Sequence, residues 1–208
     1  MSDPPPEVVA PAGAATAAAG EGERGRVLLA LAREAIATAL EVPVPPAPRI
    51  TLAQRAAPWL RAPGACFVTL TQAGRLRGCI GSVRARRPLA DDLRANACAA
   101  ALADPRFPPL TAAELAVTRV EVSLLTAALP LPAATEEEAL AALRPGIDGI
   151  ILELGGDAHA TFLPQVWESL PVPRDFLAHL KHKAGLPPDF WSPDLRLQRY
   201  TVTKWTED

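Results

Sequence analysis

Nowhere does this chain run for the ~18 uninterrupted apolar residues that a membrane-spanning helix needs, so no membrane partner is expected. Its start has neither the basic segment nor the apolar block of a secretory signal. Cysteine is scarce: Cys66, Cys79 and Cys98 are odd in number and widely spaced, fitting neither a zinc pattern nor a disulfide framework. That usage suits a reducing cytoplasm. A glycine-rich phosphate loop, a dinucleotide fingerprint, a His-Glu metal helix and a nucleophile elbow are all missing. No metal ligands and no cofactor are therefore assigned, and the lack of a C-x-x-x-C-x-x-C cluster excludes an iron–sulfur centre of that kind.

Charge is lopsided. Between Val42 and Ala90 there is no Asp, Glu, Lys or His, yet eight arginines occur: Arg49, Arg55, Arg61, Arg75, Arg77, Arg84, Arg86 and Arg87. A one-signed patch concentrates anions, and the guanidinium fork favours phosphate and carboxylate. The plain alternative is an Ala-, Pro- and Arg-rich composition that scatters arginines over a solvated surface. With 49% hydrophobic residues in 208, the chain can bury the core of one domain, or of two lobes sharing a core.

Residues 1–22 are mainly Pro, Ala, Gly, Ser and Thr and bury too little to offset ordering, which predicts a disordered tail. From Glu23, Val27, Leu28, Leu31, Ala35, Ile36, Ala39 and Leu40 recur at helical spacing, until Pro43–Pro48 continue as an extended segment. A domain over 23–208 then divides into two similar units. The first (about 64–126) reads as strand 66–71, a turn at Ala73-Gly74, strand 75–80, a helix opened by Pro88 and strand 118–126. The second (about 146–205) reads as strand 147–154, a turn at Gly155-Gly156, strand 158–163, a helix opened by Pro173 and strand 195–205. Thr111 with Glu114 and Thr135 with Glu138 are capping boxes of short helices. The pattern predicts an α+β fold with an antiparallel or mixed sheet and helices on one side.

The candidate chemistry centres on Leu76-Arg77-Gly78-Cys79-Ile80-Gly81. Glycines on both sides of a thiol weaken a strand and point to a bulge or a close backbone approach rather than to ordinary packing. A two-residue turn predicts that Leu70 faces Arg77, Val68 faces Cys79 and Cys66 faces Gly81. Cys66, Val68, Leu70, Arg77 and Cys79 then share one face, with the two thiols ~7–8 Å apart, too far for a disulfide. The adjacent Arg77 favours a thiolate at Cys79, whereas a free cysteine is otherwise a small buried hydrophobe. Arg106, in the rigid loop Asp104–Pro109, is an anion clamp or else ties the loop to a helix end with Asp104. Asn96 needs a partner in mid-helix, on a neighbouring strand or in a cleft. Gln165 beside Trp167 could form a platform for a flat polar ligand. His179 and Lys183 share a helix face with Phe176, and Lys181, His182 and Lys183 complement the helix dipole. Arg84, Arg86 and Arg87, between hairpin and helix, are candidates for a phosphate-contacting loop.

These segments, in order, resemble the AMMECR domain family, the A component of the AmmeMemoRadiSam set. The likeness continues through Asp104–Leu110, Glu121-Val122-Ser123, Thr161–Trp167, Phe176–Leu180 and Lys183-Ala184-Gly185-Leu186, over residues 24–205. It implies a duplicated α+β fold around one curved, barrel-like, mainly antiparallel sheet with helices packed outside. It further implies a component that works with a radical-SAM protein and a Memo-like protein on a substrate held between the two repeats. In that setting Cys79 is the nucleophile or thiol ligand, Arg77 and Arg106 are anion clamps, and Asn96, Glu121, Gln165 and His179 are supporting polar groups. The family usually has a cysteine where this chain has Lys181, so a second thiol there plays no part. Two other classes remain: a nucleic-acid or anion-binding module using the arginine-rich segment 42–90, and a non-catalytic interaction scaffold.

Overall fold

The computed structural model describes residues 12–43, 50–156 and 158–208, with side chains from Gly20 onward. Two hairpins set its architecture. In the first, β1 (Pro63–Gln72) turns at Ala73 and Gly74 into β2 (Arg75–Gly81). Both turn residues have positive φ (48° and 75°), the twist that matches a two-residue hairpin loop. β3 (Arg87–Pro88) touches the start of β1, and β4 (Thr118–Leu125) lines the other side of β1. β5 (Leu129–Pro130) follows, and the second hairpin joins β6 (Gly149–Leu154) to β7 (Ala158–Phe162). The closing segment is β8 (Arg196–Tyr200) and β9 (Val202–Thr206).

All pairings are antiparallel, in the orders β2-β1-β4-β9 and β5-β8-β6-β7. The α+β, antiparallel expectation therefore holds, but the strands form two sheets, and neither closes into a barrel among the described residues. The single strand expected over 195–205 breaks at Thr201, where the chain crosses from one sheet to the other. β4 and β5 make the opposite crossing alongside it. Thr126 N donates to Thr201 O (3.0 Å) and Thr201 N to Thr126 Oγ1 (2.9 Å), so one long ribbon runs through both sheets.

Helices cover one side of each sheet. α1 (Ala12–Ala39) and α4 (Leu89–Leu102) bury Leu28, Leu31, Ile36, Leu93 and Ala97 against Val68, Leu70, Val120 and Val122 of the first sheet. The short α2 (Leu52–Arg55) bonds α1 through Arg55 and Glu34, α3 (Pro58–Arg61) lies against α4, and α5 (Ala112–Leu115) leads into β4. On the second sheet, α6 (Glu136–Ala142) and α7 (Pro173–Lys183) join a core in which Trp167 stacks on Phe176, ring centroids 3.8 Å apart. Ala65, Leu125, Ile151 and Tyr200 form a small apolar seam between the sheets. α1 begins at Ala12 rather than Glu23, so residues 12–22 of the expected tail are helical, while residues 1–11 lie outside the described residues. Of the segment Pro43–Pro48, all but Pro43 lies outside them too.

The first hairpin departs from the expected register at one residue. Thr71 pairs with Leu76 but Leu70 pairs with Gly78, leaving Arg77 as a β-bulge. Cys79 therefore faces Thr69 and Gly81 faces Phe67, each one position away from the expected partner. Cys66 points into the helix-side core and Cys79 to the opposite face, so the two thiols are not neighbours on one face. Helix packing sets this outcome. A Cβ on Gly78 would lie 2.1 Å from the Ala100 carbonyl oxygen, so only glycine can face α4 at that level.

Candidate functional site: a thiol on an edge strand

β2 is an edge strand, and its outer backbone groups at Cys79 are held by a loop rather than by another strand. Asp104 Oδ2 accepts from Cys79 N (2.8 Å), and Arg106 Nη2 donates to Cys79 O (3.1 Å). Asp104 also accepts from Arg106 N, Nε and Nη2 at 3.1, 2.9 and 2.7 Å. The Arg106 bonds hold the buried Asp104 carboxyl well below the usual carboxylate range, and Cys79 N–H adds to the effect. Such a clamp fixes the strand and blocks its edge from pairing elsewhere.

The partly buried Cys79 side chain lies on the polar face. Thr69 Oγ1 donates to its sulfur at 3.3 Å. The Arg106 guanidinium lies beside the same sulfur, which adds to Asp104 in keeping that guanidinium protonated. In register with Thr69 on the next strand is Glu121, which accepts from Thr206 Oγ1 (3.2 Å) and pairs with Lys204 (3.4 Å). Cys79, Thr69, Glu121 and Thr206 thus form a row across four strands. At roughly 4.8 Å per strand the row spans about 14 Å.

The other candidates are placed differently. Arg77 is no anion clamp: its side chain is 11% exposed and its donors go to Glu114 Oε1 and Oε2 (3.0 and 3.2 Å) and to the carbonyls of Pro108 and Pro109 (2.9 and 3.4 Å). Arg77, with help from Thr111, pulls the Glu114 carboxyl down from 4.5 to about 2. Arg106 does pair with Asp104, but it ties its loop to Cys79 of β2 rather than to a helix end, and its side chain remains 53% exposed. Asn96 is buried and bonds the neighbouring strand, donating to Cys66 O at 3.0 Å. Gln165 lies on the rim of a depression with Lys204, but Trp167 below it is committed to the core, so the two form no stacking platform. His179 is exposed on α7 and bonds Asp175 O of its own helix (2.8 Å). It does not share the buried face of Phe176. Lys181 does, at 0% exposure, paired with Glu136 Oε1 (3.0 Å) and Phe190 O (3.1 Å).

Asp92 by itself carries no signal of its role in the sequence, and Asp104 reads there only as an anchor for its own loop. Buried Asp92 accepts from Ser82 Oγ (2.6 Å), Arg87 Nε (2.9 Å), Asn96 Nδ2 (2.9 Å) and Cys66 N (3.1 Å). Burial, then the Asp92 charge, push the Cys66 thiol up to about 12, which leaves it inert at neutral pH. An acid in the first turn of a helix ordinarily reads as a dipole partner in solvent, so only the Asn96 four residues on gave a signal. No group of three or more His, Cys, Asp or Glu side chains that could hold a metal ion occurs among the described residues. No helix among them is long and apolar enough to cross a membrane.

The arrangement defines an α+β protein that displays one clamped thiol on the polar face of an antiparallel sheet. The chain belongs to the AMMECR1 family, whose model matches residues 29–205. A protein of Methanothermobacter thermautotrophicus is 42% identical over 148 residues, 68% of this chain and 74% of its own. Protein MJ0810 of Methanocaldococcus jannaschii is 42% identical over 133 residues, 61% of this chain and 64% of its own. The crystal structure of the uncharacterized protein PH0010 from Pyrococcus horikoshii is similar at a TM-score of 0.74 and 34% identity, covering 89% of this chain and 92% of that one.

Proposed function

We propose that this protein is the thiol-bearing component of a three-protein system, working beside a radical-SAM protein and a Memo-like protein, with Cys79 as nucleophile or thiol ligand. The partners are inferred from the likeness of its motifs to the AMMECR domain family. The thiol role has its own support: Cys79 sulfur accepts from Thr69 while its strand is clamped by Asp104 and Arg106. A purely structural cysteine gains nothing from a hydroxyl donor and a guanidinium at a partly buried sulfur. A thiol that reacts or binds does: its orientation is fixed, and a cation stands ready for an anion formed or bound there. Glu121 and Lys204 supply further charge along the same face, and Gln165 borders it.

The test combines labelling with complementation. Iodoacetamide at pH 7 should modify Cys79 before Cys98 and long before Cys66. A Cys79→Ser protein should fold normally yet fail to restore the metabolite profile of a strain lacking the protein. Full restoration by Cys79→Ser, or labelling of Cys79 only in denaturant, would remove the thiol from the mechanism.

A further inference from the structure

The loop between β2 and α4 takes no part in the Cys79 site, yet it walls a cavity of about 780 Å³ against the β6–β7 hairpin. Arg84, Arg86 and Arg87 line one side; Glu153, His159 and Thr161 line the other. The volume lies within the roughly 300–1,000 Å³ usual for small-molecule sites. Both halves of the chain contribute, so an occupant would touch both.

The three arginines differ in what they have left to offer. Arg87 Nε donates to buried Asp92 (2.9 Å), and Asp92 is itself fixed by Ser82, Asn96 and Cys66, so the Arg87 fork is anchored from behind. Its side chain remains 44% exposed. Arg84 pairs with Glu153. Arg86 is exposed and meets no carboxylate among the described residues. Three guanidinium groups thus share two carboxylates, and the surplus charge is positive, with His159 beside it. Anchored guanidinium forks match the paired oxygens of carboxylate and phosphate.

We propose that this cavity binds a small anionic metabolite carrying a phosphate or carboxylate group, with Arg86 and Arg87 as its principal contacts. A surplus of about one charge suits such a ligand. A nucleic-acid strand would need several phosphates neutralised along an extended surface. The proposal is independent of the role of Cys79.

Inorganic pyrophosphate and citrate are the probes, titrated at low salt by calorimetry and followed by thermal shift. At least one should bind the unmodified protein at millimolar concentration or below and raise its Tm with concentration. Arg86→Ser, at an exposed position with no ion pair to lose, should weaken that binding about ten-fold, the loss of a charge-assisted hydrogen bond. Arg61→Ser removes the same charge from an exposed position at the end of α3, outside the cavity, and should leave binding unchanged. The relative affinity of the two probes tells phosphate from carboxylate recognition. Binding of neither probe, or equal weakening by Arg61→Ser and Arg86→Ser, would overturn the proposal. So would a single-stranded oligonucleotide that displaces both probes in an Arg86-dependent manner.

Discussion

Gly78 and Cys79, adjacent on a strand, point to opposite faces; the Arg77 bulge decides that Gly78 meets α4 while Cys79 reaches the polar face, and different forces hold each in place. At Gly78 the constraint is steric. An added Cβ would sit 2.1 Å from Ala100 O, a backbone atom with no flexible end to yield. Gly78→Ala should therefore cost roughly 3 kcal/mol or more, at the upper end of overpacking, or prevent folding. Gly81→Ala should be costly too, though somewhat less: its Cβ would lie 2.2 Å from the Phe67 ring and 2.7 Å from Phe67 Cα, so its nearest backbone contact is less severe than that at Gly78. Urea unfolding of the two proteins checks the order; a Gly78→Ala protein of ordinary stability would mean α4 does not approach β2 this closely. At Cys79 the constraint is polar. Asp104→Asn keeps the shape but removes the charge that serves Cys79 N–H and three nitrogens of Arg106. We expect a loss of about 1–3 kcal/mol, the range for charged hydrogen bonds at a buried acceptor. Slower iodoacetamide labelling of Cys79 should accompany it, because Asp104 anchors the Arg106 cation beside the sulfur. Unaltered labelling would mean that the clamp does not tune the thiol.

Elements whose rules are local were legible in the sequence. Thr111 caps α5 through Glu114 N while Glu114 Oε2 accepts from Thr111 N, and Thr135 accepts from Glu138 N at the start of α6. Both hairpin turns and the proline-led starts of α4 and α7 were readable for the same reason. What depended on a distant partner was not. The bulge exists because residue 78 must be the one that meets Ala100, and β2 does not encode where α4 will lie. On α7, Lys181 follows Leu177 by four residues and lies on its buried face, but charge alone made it look solvated; Glu136, 45 residues earlier, reverses that. The same distinction separates the glycines of α1. Gly20 and Gly22 have open space around them, whereas a Cβ on Gly25 would enter the Trp205 ring at 2.3 Å. Gly20→Ala and Gly22→Ala should each stabilise by roughly 0.5–1 kcal/mol, since alanine restricts the unfolded chain more. Gly25→Ala should destabilise by about 1–3 kcal/mol by forcing β9 off the helix. Thermal unfolding of the three proteins decides it, and a Gly25→Ala protein with a raised Tm would mean that β9 and α1 are not so tightly apposed.

At the scale of the whole molecule, the ribbon through Thr126 and Thr201 makes the two sheets depend on each other, and titrating groups elsewhere in the fold bound the pH range over which it is stable. On the acid side stand Glu114 and Asp104, both depressed in the folded protein. A carboxyl with a lowered folded pKa stabilises above its unfolded value and loses that contribution as pH falls toward the folded one. For Glu114 that window runs from 4.5 down to about 2, so the β2 edge should loosen across it. On the alkaline side stand Cys66 and Tyr200, both raised to about 12, chiefly by burial. Their neutral forms are favoured in the fold, so their contribution is complete below the unfolded values of 9.0 and 10.0 and is lost as pH rises toward 12. Tyr200 lies in the seam between the sheets, where its hydroxyl meets Thr161 Oγ1 (3.0 Å) and donates to Phe162 O (3.2 Å). Tyr200→Phe removes the titrating group while keeping the ring that fills the seam. Its unfolding free energy, followed from pH 8 to 11, should begin lower than that of the unmodified protein by about 1 kcal/mol for the lost hydrogen bonds. It should then decline less steeply, so that the two curves converge. Parallel curves would show that Tyr200 takes no part in the alkaline transition, leaving Cys66 and its Asp92 cluster as the buried groups that fail first.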